Sequence, residues 1–221
     1  MARLFNDAAS DTLKRTASVP VTGAPLTMAC WFRSDDQAIN QNLMSLGNSL
    51  TSDNFFLLDI RGAVSDNLRA ISESTLAIAI STSAGAYTAN QWDHAAGVFA
   101  STTSCVAYLN GVAATADTTA VTPVGINQVG LGVLFRNTDA DYLSGRLAEA
   151  AIWNAALDAA EVAALAKGIS PLLIRPQSLI AYWPLLGNDS PELDRKNGFT
   201  LTATGTTKAE HTRVYAPTDM Q

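Results

Sequence analysis

Glycoside hydrolysis needs two carboxylates facing each other across a sugar ring, one to attack or to activate water and one to protonate the leaving oxygen. The only E-x-D spacing that could supply them is Glu192-Leu193-Asp194. It follows Pro191 and runs into Arg195 and Lys196, so no third acid joins it and it reads as a solvated turn. A serine-type triad needs a base held by an acid. His94 is a candidate base, but the alternation Trp92, His94, Ala96, Val98 sets it on a mostly apolar face, where a core histidine is expected. Cys30 and Cys105 lie in separate apolar segments without metal-ligand spacing, and only His94 and His211 could complete a site with them. They read as small buried hydrophobes. Glycine-rich phosphate loops and H-E-x-x-H zinc motifs are absent from the sequence. The chain is therefore expected to be no enzyme, with no catalytic residues.

Binding chemistry has more candidates. Two polar stretches, Asp35-Asp36-Gln37 with Asn40-Gln41-Asn42, and Arg136-Asn137-Thr138-Asp139 with Asp141-Tyr142, carry groups able to hold sugar hydroxyls. Ordinary polar turns use the same residue types. The candidate ligand-binding residues are Asp35, Asp36, Arg136, Asn137, Asp139, Asp141 and Tyr142. Trp31, Trp92, Trp153 and Trp183 all fall in predicted strands and read as core, not as stacking platforms. The Asn137 to Asp141 run offers oxygens to calcium but lacks EF-hand spacing, so no metal and no other cofactor is expected.

These residues must be positioned by a chain of 221 residues, of which 48% are hydrophobic and 15% charged. Soluble domains average roughly 25% charged, so the surface is low in charge, yet the chain is far too apolar for disorder. A net charge of −6 argues against nucleic acid, whose phosphates call for clustered Lys and Arg. No apolar run reaches the roughly 20 residues that span a bilayer, so membrane insertion is not expected. Met1 to Asp7 meets an acid before any apolar run, unlike a secretory signal, and without an oxidising compartment a Cys30–Cys105 disulfide lacks support.

Short apolar stretches separated by Gly, Asn, Asp, Ser and Thr dominate. Predicted strands are Thr27 to Phe32, Leu43 to Leu46, Phe55 to Ile60, Leu68 to Ile71 and Leu76 to Ile80 (a hairpin around Glu73), Trp92 to Phe99, Cys105 to Leu109, Val112 to Ala116, Val129 to Phe135, Leu143 to Trp153, Leu179 to Leu185 and Phe199 to Ala203. Asn110-Gly111 is the strongest hairpin signal, since both turn positions need φ > 0. One helix is predicted: Asp158 and Glu161 make a capping pair, Val162 and Leu165 follow at helical spacing, and Gly168 stops it. Pro171 and Pro176 bracket an extended connector, the turn Gly187 to Pro191 precedes the last strands, and Lys208 to Gln221 reads as a frayed tail. Met1 to Thr12 has little reason to pack in the core. The expected fold is all-β, a two-sheet antiparallel jelly-roll sandwich with one short helix near 158–167.

Several segments together resemble LamG-like, concanavalin A-type jelly rolls. Thr27-Met28-Ala29-Cys30-Trp31-Phe32 is similar to that family's "TISAWV" strand, Trp92-Asp93-His94-Ala95-Ala96 to its "W-x-H-V-A" strand, and Tyr108-Leu109-Asn110-Gly111 to its "Y-V-D-G" hairpin. Gly145 to Asn154, continued by Ala156-Leu157 and Glu161-Val162, resembles the "G-x-I-D-E-V-R-I-Y-N-x-A-L-S-x-x-E-I" run. Ala148 stands where relatives carry the acid that often holds a structural calcium, so the resemblance implies that this ion is missing here. The segment Ala181-Tyr182-Trp183-Pro184-Leu185 comes after the helix, whereas many relatives carry it at the start. This implies one domain over 1–221, with strands 179–203 closing the sandwich beside the N-terminal strand.

Domains with that late segment are similar to proteins of tailed bacteriophages. The resemblance implies a non-enzymatic virion protein, made in the host cytoplasm, that decorates the capsid or serves the tail in adhesion. Its expected partners are other virion proteins or further copies of itself in a homo-oligomer, with surface glycans as an added contact. A free-standing carbohydrate-binding lectin is the alternative.

Overall fold

The computed structural model describes residues 1–16, 18–62, 65–187 and 190–211. Among them the strands are β1 (Ala2–Phe5), β2 (Thr12–Thr16), β3 (Leu26–Ser34), β4 (Asn40–Gly47), β5 (Phe55–Arg61), β6 (Asn67–Ser74), β7 (Ala77–Ala86), β8 (Asp93–Ser101), β9 (Ser104–Leu109), β10 (Val112–Ala113), β11 (Gln128–Leu131) and β12 (Gly145–Trp153). Helix α1 (Ala159–Ala166) follows, then β13 (Leu179–Trp183), β14 (Thr202–Thr204) and β15 (Thr207–Ala209). They form two antiparallel sheets, as the strand pattern predicts. The first runs β10-β9-β8-β3-β12-β1-β15, with β13 also on β12; the second runs β14-β2-β11-β4-β5-β6-β7.

Side chains alternate between faces, so Met28, Cys30 and Phe32 of β3 meet Phe56, Leu58 and Ile60 of β5 in one core that runs from Phe5 to Leu201. Parts of both outer faces are covered as well. On the first sheet, Val162 and Leu165 of α1 pack on Ala29, Ala96 and Trp153. On the second, Leu134 lies over Phe55, Leu57 and Ile71. Burial on both faces explains uninterrupted apolar runs such as Phe55–Leu58. The capping box of α1 forms as spaced: Asp158 Oδ1 accepts from Glu161 N at 2.9 Å, and Glu161 Oε2 from Asp158 N at 2.8 Å. Asn110 and Gly111 adopt φ of 52° and 79° in the β9–β10 turn.

Several expectations fail for tertiary reasons. Glu73 sits inside β6, and the hairpin turns at Thr75-Leu76. The strand expected to reach Phe135 ends at Leu131, because Gly132 takes φ of 74° and sends the chain across the second sheet. Pro171–Leu173 is a 3-10 turn capped by Ser170, not an extended connector. The N-terminal segment is core: β1 inserts between β12 and β15, with Arg3 and Phe5 buried. Lys208 and Ala209 belong to β15, while 212–221 of the expected tail, and Asn188 and Asp189 of the expected turn, lie outside the described residues.

Of the pair expected in a solvated turn, Asp194 does organise a turn among exposed residues, but Glu192 does not belong to it. Glu192 is buried and receives Arg3 Nε at 2.8 Å. Asp194 accepts from the backbone amides of Tyr182, Lys196, Asn197 and Phe199 at 2.8–2.9 Å. Both carboxylates are spent on architecture.

Cys30 and Cys105 are buried and free. Burial raises both thiols, Cys105 to about 12 and Cys30 further still. A thiol reagent at pH 8 is therefore expected to leave both untouched in the native protein and to modify both in denaturant. Fast labelling of either in the native state would contradict their burial.

Candidate functional site

The seven candidate residues separate. Asp36 makes a local turn, its Oδ1 accepting from Ala38 N at 2.6 Å. Asp35 belongs to the outer face of the first sheet, where Arg146 Nη1 donates to both its oxygens at 2.8 and 3.2 Å. The other five ride on the segment between β11 and β12, over the second sheet. There Arg136 reaches the Ser52 carbonyl, Asn137 N donates to Thr51 O at 3.3 Å, and Asp139 pairs with Lys14 at 2.6 Å. Asp141 uses its carbonyl on Asn42 N at 2.8 Å, and Tyr142 is half-buried.

Under that segment a polar row crosses the second sheet in register, Asn42 on β4, Asp59 on β5 and Arg69 on β6. Asp59 is buried and holds Arg69 through two contacts, Nε to Oδ1 at 2.9 Å and Nη2 to Oδ2. Burial pushes the Asp59 carboxyl up while Arg69 pulls it back. The carboxylate is thus taken by a neighbour on the same sheet. Among the described residues, no three His, Cys, Asp or Glu side chains group to hold a metal ion.

The other face offers what ring recognition requires. Because Met28, Cys30 and Phe32 point into the core, Trp31 and Arg33 point outward on β3. Arg33 is in register with Arg146 on β12, and Trp31 with His94 on β8. Helix α1 covers Ala29 and Ala96 but stops short of this end, leaving Trp31 and Trp92 half-buried. Only Trp153 and Trp183 of the four are core. Arg33 Nη2 donates to Asn90 Oδ1 at 3.1 Å. A cleft of about 450 Å³ is lined by Leu4, Arg33, Trp92, Arg146 and Lys208–His211, and an opening of about 580 Å³ beside Met1 shares that last stretch.

Deeper in, His94 is buried edge-on to Trp31, with ring centroids 5.4 Å apart. Burial depresses it to about 3, so it stays neutral as a core group. It shares with Glu149 a small void of about 10 Å³, room for one water and not for a sugar. Glu149 adopts φ of 53° in a bulge of β12, accepts from the Tyr182 hydroxyl, and has its carboxyl raised by burial.

Residues 7–163 match the sequence model of the Concanavalin A-like lectin/glucanases superfamily. The chain belongs to that superfamily. No curated protein matches the chain. The fold is similar to that of the heptameric SAP-like pentraxin from Limulus polyphemus, at TM-score 0.64 and 13% identity, with 93% of this chain and 92% of that chain covered. A candidate carbohydrate-binding protein from Bacteroides ovatus gives TM-score 0.68 and 17% identity, covering 98% of this chain and 60% of that one. The Ruminococcus gnavus IT-sialidase CBM40 bound to α2,3-sialyllactose gives 0.55 and 18%, covering 64% and 82%. The superfamily motifs that sequence alone picks out sit in β3, β8, β9 and β12, the strands that carry the tryptophan cleft or flank it.

Proposed function

We propose that the chain is a non-catalytic carbohydrate-binding module that seats a sugar ring on the Trp92 and Trp31 surface of the first sheet. The observation that carries this reading is the pair of half-buried tryptophans beside Arg33, Arg146 and Asp35. A pyranose has one face of C–H groups, which stacks on an indole, and a rim of hydroxyls, which guanidinium and carboxylate groups bind in fixed directions. The similar folds from Bacteroides ovatus and Ruminococcus gnavus support the class of ligand. Binding without turnover is supported by the structural use of Glu192 and Asp194 and by the sealed position of His94.

The virion role has one observation in its favour, the place of Tyr182-Trp183-Pro184-Leu185 after the helix. It is compatible with this reading, the module then being the adhesive part of a particle.

A glycan array read with the purified chain, followed by titration of each hit, tests the proposal. Trp92→Ala and Arg33→Ala are expected to weaken a hit by about tenfold or more each, with unfolding curves unchanged. Unaltered affinity in both variants, or an array without a single hit for the folded protein, would overturn it.

A further inference from the structure

We propose that His211 occupies the sugar's seat in the ligand-free protein, so that the strap Thr207–His211 is an internal competitor for the carbohydrate site; this rests on the reading above. Three residues of β15 pair with β1, in register Ala2 with Ala209 and Leu4 with Thr207. The strap then turns over the outer face of the first sheet. It sets the His211 ring 4.4 Å from Trp92, with the planes at 71°, and 5.8 Å from Trp31 at 57°. A ring thus already contacts both tryptophans, edge-on to Trp92 and tilted to Trp31.

The imidazole lies there at a cost. Nδ1 and Nε2 are both buried, and neither has a hydrogen-bond partner among the described residues. In water each would be solvated, so the docked ring forfeits two hydrogen bonds and keeps only aromatic contact. A sugar in the same place keeps the contact and adds hydroxyl bonds to Arg33, Arg146 and Asp35, which gives it the means to displace the histidine.

Acid should work in the same direction. Burial lowers the docked imidazole to about 4, and the Met1 amino group pushes the same way. Arg33 of β3, Arg146 of β12 and Lys208 of the strap face the cleft as cations, against Glu210 in the cleft and Asp35 paired with Arg146 beside it, while His94 stays neutral behind Trp31. The docked state disfavours the charged ring, so docking is intact above the ordinary histidine value near 6.5 and weakens as pH falls from there toward 4.

The test uses the full chain and His211→Ala. Without ligand, tryptophan emission of the wild type is expected to change between pH 7 and 4, and the change to vanish in His211→Ala and shrink in Trp92→Phe. At pH 7, His211→Ala is expected to bind an array hit about three- to tenfold more tightly, because no seat has to be vacated. Weaker binding by His211→Ala, which would make the ring part of the platform, overturns the proposal, as does an emission profile identical in the two proteins. If the emission change tracks His211 but neither protein binds any glycan, the carbohydrate reading fails and the competitor role fails with it. An unchanged emission profile with glycan binding intact would sink the competitor alone.

Discussion

Glu192→Gln is expected to lower the unfolding free energy by about 3–5 kcal/mol, the usual cost of breaking a buried ion pair from one side. For a domain of this size that is roughly 10 °C in Tm or more. Glu192 Oε2 lies 2.8 Å from both Nε and Nη2 of Arg3, and neither side chain is more than 6% exposed. Arg3 Nη1 adds Thr206 Oγ1 at 2.9 Å. The Glu192 backbone is bridged to Leu201, with bonds of 2.7 and 3.0 Å. The ion pair therefore ties the first strand to the segment after β13 and, through Arg3, to the residue before β15, 203 positions away in sequence. Glutamine keeps the shape and removes the carboxylate charge that lies against the buried guanidinium. Equal midpoints for Glu192→Gln and wild type in urea would show that the pair contributes nothing.

That pair marks where sequence reading runs out. Elements whose cause is local were legible: the Asp158–Glu161 capping box, the Asn110-Gly111 turn, and the alternation of β3 and β8. Glu192 sits among Pro, Arg, Lys and Asn, a turn composition in any window, and only its meeting with Arg3 of β1 buries it. Asp194 takes three of its four amides from Lys196, Asn197 and Phe199 nearby and the fourth from Tyr182 of β13. Strand β1 is four residues with an arginine in the middle, too short for a pattern. The tryptophans show a subtler limit. Alternation correctly groups Trp92, His94 and Ala96 on one face, but not how far that face is covered, because coverage depends on where α1 ends above it. His94 is under cover; Trp92, just before β8, is not. Asp35 was chosen for its polarity; it lies beside the cleft residue Arg33, two positions away at 3.9 Å, as strand alternation allows, but its closer partner Arg146 at 2.8 Å is brought there only by the pairing of β3 with β12.

Gly47→Ala is expected to destabilise the protein by about 3 kcal/mol and to free the segment between β11 and β12, while leaving glycan affinity unchanged. A Cβ on Gly47 would overlap the Phe135 carbonyl oxygen, a backbone atom that cannot rotate away. Phe135 is fixed at that spot because its amide donates to Ser45 Oγ at 3.0 Å and Ser45 Oγ donates to Val133 O at 2.8 Å. Gly130, on the adjacent strand, completes the seat, since its own Cβ would come within 2.7 Å of the Phe135 side chain. Lifting the segment also strips Leu134 from Phe55, Leu57 and Ile71 and separates Lys14 from Asp139. Native-state trypsin cleavage after Arg136, now half-buried with its guanidinium on Ser52, is the sensitive readout and should accelerate. The variant also decides between the two faces of the sandwich. Arg136, Asn137, Asp139, Asp141 and Tyr142 all move with this segment, whereas Trp31, Trp92, Arg33 and Arg146 stand on β3, β12 and the residue before β8. Affinity that collapses in Gly47→Ala at a temperature where the variant is fully folded would place the sugar on the second sheet, and the tryptophan cleft would lose its claim.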